Sequence, residues 1–236
     1  TTADNSDTLT LKSTDTDDLA GPILRLTRDS SSPASDDVLG QIFFTGEDAG
    51  GNATNYASIR SIIADKTDGS EDGQLFINRI VAGTDRRMIT MTGTATVFNE
   101  DSVDIDFRVE SNDNTHALFV DAGNNRVGIN TSSPGTTLQV GDGSAQTRVR
   151  IMSPNDSSSV IDFADPDDGN VGSIAYHHGD TEMIFRVADV DQHKFKAGEV
   201  VFNETSADVD FRVESNGNQH MLFVDANNDH VNIGTS

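Results

Sequence analysis

One segment of this chain occurs twice: residues 97–132 return without a gap as residues 201–236, and 25 of the 36 positions are identical. Both copies begin with Val-Phe-Asn-Glu. Self-similarity at a fixed spacing is typical of arrays whose units stack on their neighbours rather than of one closed globule. The repeat predicts four modules, namely a variable module at 1–96, a first repeat at 97–134, a second variable module at 135–200 and a second repeat at 201–236.

Apolar and charged side chains alternate at the start of each repeat. Ile105, Phe107 and Val109 are separated by charged residues, a period of two that places the apolar side chains on one face of a β-strand. The next run, 117–120, is apolar throughout, which is typical of a short strand covered on both faces. Turns rich in Asn, Asp and Gly follow at 112–114 and 121–125. Each repeat is therefore predicted to be a small meander of short strands.

The two variable modules share a looser similarity. The matching segments are 8–11 (TLTL) with 137–140 (TLQV), 23–26 with 148–151, 39–44 with 171–176, and 74–77 with 182–185. Residues 56–64 fit either a helix or a strand, and we favour a strand because its neighbours are predicted strands. The chain thus consists of two cycles, each a variable module followed by a repeat. It begins and stops at the same point of the cycle, as expected for a segment of a longer array.

The chain has too few apolar residues to form a hydrophobic core by itself. Only 34% of the residues are hydrophobic, and 39 acidic against 16 basic residues give a net charge of −23. The strand pattern is nevertheless too regular for a disordered chain. An obligate oligomer reconciles the two observations, because other copies would supply the missing cover. The acidic surface disfavours nucleic acid as a partner, and no segment has the pattern of a membrane-inserting one.

Three segments carry a resemblance to a known class of protein. Residues 68–89 (DGSEDGQLFINRIVAGTDRRMI), 107–134 (FRVESNDNTHALFVDAGNNRVGINTSSP) and 171–180 (VGSIAYHHGD) resemble segments of bacteriophage tail fibres and related virion structural proteins, especially those of aquatic phages. The similarity runs through most of the chain from about residue 23. It implies an all-β, elongated homotrimer of β-prism or intertwined β-helix type, located on the virion or outside the cell. Such a shaft carries a receptor-binding tip that contacts a cell-surface glycan or receptor.

The apolar residues of both repeats are the predicted assembly core. In a shared core, strands from several chains would bury them together. They are Phe98, Phe107, Phe119, Val127 and Ile129 in the first repeat and Phe202, Phe211, Phe223, Val231 and Ile233 in the second.

Two features of the sequence could form a metal site, and each also has a simpler interpretation. Asp225, Asn227 and Asp229 place oxygen ligands at alternate positions, as Ca²⁺ prefers, although a plain turn is the favoured interpretation. The similar acidic loop 165–170 has the same alternatives. His116 and His220 occupy equivalent positions, so a threefold axis would gather three imidazoles into a ring able to bind a transition metal. A hydrogen-bonded histidine beside a turn is the favoured alternative. No cofactor is otherwise predicted.

The remaining motifs give weaker functional hypotheses. Sequons at Asn52, Asn130, Asn155 and Asn203 would accept glycans only in a host with that machinery. We predict no enzymatic activity, because the chain has no Trp and two Tyr to stack on sugars, and its 39 acidic residues single out no catalytic pair. The prediction is a shaft segment of a phage tail fibre. The alternatives are a non-viral extracellular filament or adhesin built by self-association, and a sugar-binding or sugar-cleaving tip.

Overall fold

The computed structural model of the chain describes residues 7–18 and 21–234. Over these residues the protein is all-β, as predicted, with 17 strands and no helix. This part of the chain accordingly contains no helix able to cross a membrane. The protein divides into two units, Thr1–Thr147 and Arg148–Ser236, and each unit contains a five-stranded sheet followed by a smaller one.

The first unit contains sheets 1 and 2. Sheet 1 is an antiparallel meander in chain order, formed by β1 (Val38–Glu47), β2 (Ala53–Asp65), β3 (Asp72–Val81), β4 (Thr84–Met91) and β5 (Thr96–Phe98). Sheet 2 is formed by β6 (Phe107–Val109), β7 (Leu118–Asp121), β8 (Arg126–Ile129) and β9 (Leu138–Val140). Its last pair, β8 with β9, is parallel. The connection between them buries Pro134 completely.

The second unit repeats this plan with sheets 3 and 4. Sheet 3 is formed by β10 (Ser158–Phe163), β11 (Gly172–His177), β12 (Glu182–Val187), β13 (Val190–Phe195) and β14 (Val200–Phe202). Sheet 4 is formed by β15 (Phe211–Val213), β16 (Leu222–Asp225) and β17 (His230–Ile233). Both are antiparallel. The first strand of each repeat, β5 or β14, belongs to the sheet of the preceding module.

The same two-residue hairpin turn occurs in both five-stranded sheets. Ala82-Gly83 joins β3 to β4 with φ values of 48° and 78°, and Ala188-Asp189 joins β12 to β13 with 50° and 60°. Two positive φ angles in succession define the type I′ turn, whose twist matches that of the strands it joins. These turns keep the central strands in register, which aligns side chains across the whole sheet.

The sequence predicted most strands correctly. The ambiguous segment 56–64 lies within β2, so the strand interpretation is confirmed. The prediction for the alternating run that begins at Ile105 is wrong in extent, because β6 starts only at Phe107. The side-chain amide of Asn99 binds the carbonyl oxygens of Val103 at 2.7 Å and Ile105 at 3.5 Å. The two carbonyl oxygens therefore accept hydrogen bonds from a loop side chain instead of from a neighbouring strand.

Segments 8–11, 23–26 and 148–151 form no strand. Leu26 instead lies against Gly40 of β1, where an added Cβ would come within 2.7 Å of the Leu26 Cβ. The four sheets are open, and the described residues form no closed barrel or prism.

Candidate functional site: an uncovered apolar surface

A row of apolar side chains crosses each five-stranded sheet. Residues directly opposite each other on neighbouring strands share a face, so the register defines the row. In sheet 1 it consists of Ile42, Ile59, Ile77, Ile89 and Phe98. In sheet 3 it consists of Ile161, Ile174, Phe185 and Phe202, with the polar His193 between the two phenylalanines. We call the face that carries this row the front face, and the opposite one the back face.

The row continues from the large sheet into the small one through a pair of aromatic rings. The ring centroids of Phe98 and Phe107 lie 5.0 Å apart in the first unit, and those of Phe202 and Phe211 lie 4.8 Å apart in the second. Tilted aromatic rings at this separation attract each other, and this attraction adds to the stabilisation that comes from burying their surface. The same contact therefore connects the two sheets of each unit.

The front faces of the small sheets are entirely apolar. In sheet 2 the face carries Phe107, Val109, Leu118, Val120, Val127, Ile129, Leu138 and Val140. In sheet 4 it carries Phe211, Val213, Leu222, Val224, Val231 and Ile233. No residue on either face offers a side-chain hydrogen bond to water. These are the compositions of core faces rather than of solvent faces.

No second sheet covers these front faces. Contacts between strands, beyond isolated ones, join only hydrogen-bonded neighbours of one sheet in the described part of the chain. Leu26, from the segment before β1, lies against Gly40 on the front side of that strand. Phe98 nevertheless remains 51% exposed, Phe202 46% and Leu138 60%. Folded domains normally bury a sheet's apolar face against another layer of secondary structure, and the described strands provide no such layer over these faces.

The total surface area leads to the same conclusion. Two separate compact globules that share this chain's mass would expose roughly 12,400 Å². The chain exposes 17311 Å², an excess of roughly 5,000 Å² over that expectation. Part of this excess belongs to segments 7–18 and 21–37, which form no strand and are almost wholly exposed, and part belongs to the open sheets.

The central strands of the back faces, in contrast, carry side chains that are buried within the chain itself. Phe76 is 2% exposed, because the guanidinium groups of Arg60 and Arg87 lie 5.0 and 4.8 Å from its ring centroid. Phe119 and Phe223 are also buried, and each meets the edge of a histidine ring, His116 or His220, at 5.1 and 5.0 Å.

A network of ion pairs occupies the back face of sheet 3. The Lys194 Nζ lies 3.7 Å from a Glu182 oxygen, 3.5 Å from Asp191 and 3.5 Å from Glu204. Desolvation would lower the pKa of Lys194, but attraction by Glu182, Glu204 and Asp191 outweighs it and raises that pKa. Because Glu204 belongs to the repeat and the other residues to the variable module, the network joins the two segments.

The predicted assembly residues fall on both faces. Phe98, Phe107, Val127, Ile129, Phe202, Phe211, Val231 and Ile233 lie on front faces. Phe119 and Phe223 lie on the back faces and are buried within their own units, so their burial requires no partner. The rows of Ile and Val residues in the variable modules complete the surface. In the sequence, these rows were indicated only by the alternation of apolar and other residues within 39–44 and 171–176.

The conserved polar residues of the repeat hold its loops. Asn99 donates from Nδ2 to the Val103 carbonyl at 2.7 Å and accepts the Val103 N–H at 3.2 Å. Asn203 makes the same pair of bonds to Ala207, at 2.7 and 3.0 Å. Both asparagines have positive φ, 62° and 65°, which asparagine tolerates better than most residues. These residues shape the surface rather than provide chemistry.

The proposed calcium ligands are partly engaged in a turn. Asp225 accepts hydrogen bonds from the Asn228 backbone N–H and side-chain amide, each at 2.9 Å. These bonds lower the pKa of Asp225. Asp165 in the other candidate loop accepts the N–H groups of Asp167 and Asp168 in the same way. Asp229 has a positive φ of 55°, and Asn227 is exposed in the same turn. Their geometry matches the turn interpretation.

A cluster that the sequence did not predict brings together His177, Asp180 and Glu182. These residues flank the β11–β12 turn, and strand pairing sets His177 opposite Glu182. The Glu182 carboxylate already has Lys194 at 3.7 Å and Lys196 at 4.0 Å. Two ammonium groups therefore compete with any cation at this carboxylate.

The four sequon asparagines differ in how their side chains are used. Asn52 Nδ2 donates to both carboxylate oxygens of Asp48, at 3.2 and 3.1 Å. Asn203 Nδ2 is held by the Ala207 carbonyl, and Asn130 Oδ1 accepts a bond from Asn114. Asn155 is exposed. A glycan on Asn203 would break its loop, since the modified nitrogen is the one that donates.

No known family model and no curated protein matched this chain.

Proposed function

We propose that this chain is a structural segment of a fibrous appendage in which copies of it pack their front faces together. The observation that carries the proposal is the continuous apolar surface of each unit, which runs across two sheets and has no cover. Burying such surface drives association by roughly 25 cal/mol per Å². The exposed side chains of this surface include Phe98, Phe202 and Leu138, at 51%, 46% and 60%.

Three copies around a common axis are the proposed arrangement. Three sheets that each direct one apolar face inward form a closed core and leave three back faces outward. The back faces suit this position, because Phe76 is already buried there beneath Arg60 and Lys194 is paired with acidic side chains of the same chain. The resemblance of the sequence to phage tail fibres supports the same number of chains, and the role of a shaft that positions a receptor-binding tip.

The function of such a shaft is mechanical, and no catalytic step is part of the proposal. Stiffness would come from the repetition of one plan, a large sheet followed by a small sheet, along the chain. A net charge of −23 per chain keeps the outer surface hydrated and disfavours uncontrolled aggregation.

Mass in solution tests the proposal directly. Sedimentation equilibrium of the 236-residue chain is expected to give three times the chain mass of 25.3 kDa. A folded monomer at all concentrations would overturn the proposal. Electron micrographs of the native source labelled with an antibody to this chain then separate two hosts: label on virion fibres supports a tail fibre, and label on cell-surface filaments supports the alternative.

The alternative is an extracellular filament built by self-association through the same front faces.

A further inference from the structure

The back faces of sheets 1 and 3 have the same layout but differ in how their charges are paired. Both sheets contain the same irregularity, because the register shifts between Ile77 and Asn78 in sheet 1 and between Phe185 and Arg186 in sheet 3. Register determines which side chains are neighbours on a face. The back-face residues of the two sheets can therefore be compared position by position.

On the back face of sheet 3, carboxylates of the same chain pair with the cations. The Arg186 Nε lies 3.1 Å from an Asp191 oxygen. The Lys194 Nζ lies 3.7 Å from Glu182, 3.5 Å from Asp191 and 3.5 Å from Glu204. Both cations thus have acidic partners within the chain.

Sheet 1 has arginines on its back face but lacks these acidic partners. Gln74 occupies the position of Glu182, and Arg87 occupies the position of Asp191. In the described part of the chain, no carboxylate lies within ion-pair distance of Arg60 or Arg87. The chain has 39 acidic residues, so two arginines without an acidic partner are unexpected.

The two guanidinium groups lie against one aromatic ring. The Cζ atoms of Arg60 and Arg87 are 5.0 and 4.8 Å from the ring centroid of Phe76, and the two residues come from β2 and β4, on either side of β3. Arg60 is half-buried and Arg87 is exposed. Each guanidinium can donate two parallel hydrogen bonds to an oxyanion. Because both groups flank the same ring, one ligand can contact both.

The nearest acidic side chains of this face have other partners. Asp85 accepts a hydrogen bond from the Asn78 side-chain amide at 2.9 Å. Asp101 accepts the backbone N–H of Arg87 at 3.1 Å. Neither carboxylate forms an ion pair with a guanidinium group, so the positive charge stays available to a ligand.

Buried polar atoms without a hydrogen-bond partner surround the same ring. Among the described residues, four buried side-chain atoms have no partner, and three of them are Arg60 Nε, Asn78 Oδ1 and Thr90 Oγ1. Asn78 lies two residues after Phe76 on the same face, and Thr90 lies opposite Phe76 on β4. The fourth atom, His193 Nδ1, belongs to the front face of sheet 3. Folded proteins leave few such atoms, and a bound ion or ligand is one reason for them.

We propose that Arg60 and Arg87 form a binding site for an oxyanion, a carboxylate or a phosphate group, carried by a separate ligand. The ligand supplies to sheet 1 the negative charge that Glu182 and Asp191 supply to sheet 3. This inference goes beyond the proposed assembly, which uses the front faces. The site lies on the opposite face of the sheet and is open whether or not copies associate.

Calorimetric titration of the full chain with two probes, citrate and inorganic phosphate, tests the site at physiological ionic strength. Trimethyl citrate is the control ligand, because it has the same skeleton without the charges. We expect one anion to bind per chain and the ester not to bind. The tighter of the two anions identifies the oxyanion group. If neither anion binds, or if the ester binds as well as citrate, the proposal is wrong.

Arg87→Gln is the main variant, since Arg87 is exposed and its replacement leaves Arg60 against Phe76. It should weaken anion binding at least about tenfold, because it removes charge-assisted hydrogen bonds. The control, Arg108→Gln, removes the same charge from a guanidinium that is already 2.9 Å from Glu110. It should change the affinity less than about twofold, because exposed charges beyond a Debye length are screened. Equal losses in both variants would attribute binding to overall charge and overturn the site.

Arg60→Lys tests the half-buried side of the site without exposing Phe76. Lysine keeps a cation against the ring but cannot form the bidentate contact, so anion binding should weaken severalfold. Circular dichroism establishes that each variant keeps its β structure. Unchanged anion affinity in folded Arg60→Lys and folded Arg87→Gln would overturn the proposal.

Sedimentation equilibrium separates a free ligand from a second copy of the chain. Arg87→Gln should leave the mass of the assembly unchanged. A lower mass would show that the guanidinium groups bind acidic side chains of another copy, and would overturn the assignment to a separate ligand. If the wild-type chain is a monomer whose citrate binding still depends on Arg87, only the proposed assembly is wrong.

Discussion

Phe43 and Phe44 are adjacent on β1 and provide a matched test of the front face. They are 52% and 55% exposed. Phe44 shares the front face with Ile42, whereas Phe43 lies opposite Ser58 on the back face. We compare Phe44→Asp with Phe43→Asp. Both changes weaken strand propensity by about 1 kcal/mol or less, so this cost cancels in the comparison.

The expected difference follows from the exposed area of Phe44. A fully buried phenylalanine removes roughly 200 Å² from water, so the exposed part of Phe44 amounts to roughly 110 Å². Covering that area in an assembly stabilises it by about 2.8 kcal/mol per copy. An ionised aspartate at the same place adds a desolvation cost of several kcal/mol. Over the three copies of a trimer the loss sums to about 8 kcal/mol, and because the midpoint concentration of a monomer–trimer equilibrium scales with the square root of the dissociation constant, the midpoint rises roughly a thousandfold.

Sedimentation velocity over a wide dilution series measures this shift. Phe44→Asp should dissociate at concentrations where the wild-type chain and Phe43→Asp remain assembled. Far-UV circular dichroism establishes that both variants keep their β structure. The reasoning is refuted if Phe44→Asp assembles like the wild type, or if Phe43→Asp dissociates to the same extent.

Substitutions at three further positions probe the chain itself. Asn203→Ala should lower the free energy of unfolding by about 1–3 kcal/mol in urea titrations, because it removes both bonds to Ala207, and Asn203→Asp should cost less since it keeps the acceptor. Asp189→Asn should raise the melting temperature more at pH 7 than at pH 3. A hydrogen bond with Asp168 and repulsion by its charge raise the pKa of Asp189; its favourable contribution is therefore present in acid and lost as pH rises through that raised pKa. Phe119→Ala should cost about 3–5 kcal/mol of folding stability independently of protein concentration, because its burial is internal; a concentration-dependent cost would contradict this.

The strand pattern was predictable because alternation is local. The strand interpretation of 56–64 and the turns of the repeat needed only neighbouring residues. The pairing of rows across a sheet was not predictable, since it depends on register. Phe107 and Phe119 both belong to apolar runs, yet β6 pairs with β7 so that Phe107 lies opposite Val120. Phe119 therefore faces the other way, and no property of the separate runs indicates this.

The polar residues of the repeat were harder to interpret from sequence than the apolar ones. An Asp/Asn-rich loop is compatible with both a cation site and a turn, and only the position of each donor decides between them. Asp225 has its donors from Asn228 within the turn. The contact of Glu182 with Lys194 depends on strand pairing: Glu182 lies opposite His177, and Ile184 lies opposite Lys194. Sequence separation gives no sign that the two charges meet.

Within a single copy of this chain, the polar groups of the repeat loops have hydrogen-bond partners, whereas the apolar side chains of the front faces are not fully buried. The asparagine and aspartate residues that the two repeats share fix their loops within a single copy, so these loops need no partner for their polar groups. The phenylalanines of the front rows remain half exposed in the same copy. A repeat selected only for stability in isolation would not keep Phe98 and Phe202 at 51% and 46% exposure. Their retention at equivalent positions, each stacked on the next sheet's first phenylalanine, is accounted for if both units meet the same kind of partner surface. In the proposed assembly, that partner surface is a front face of another copy.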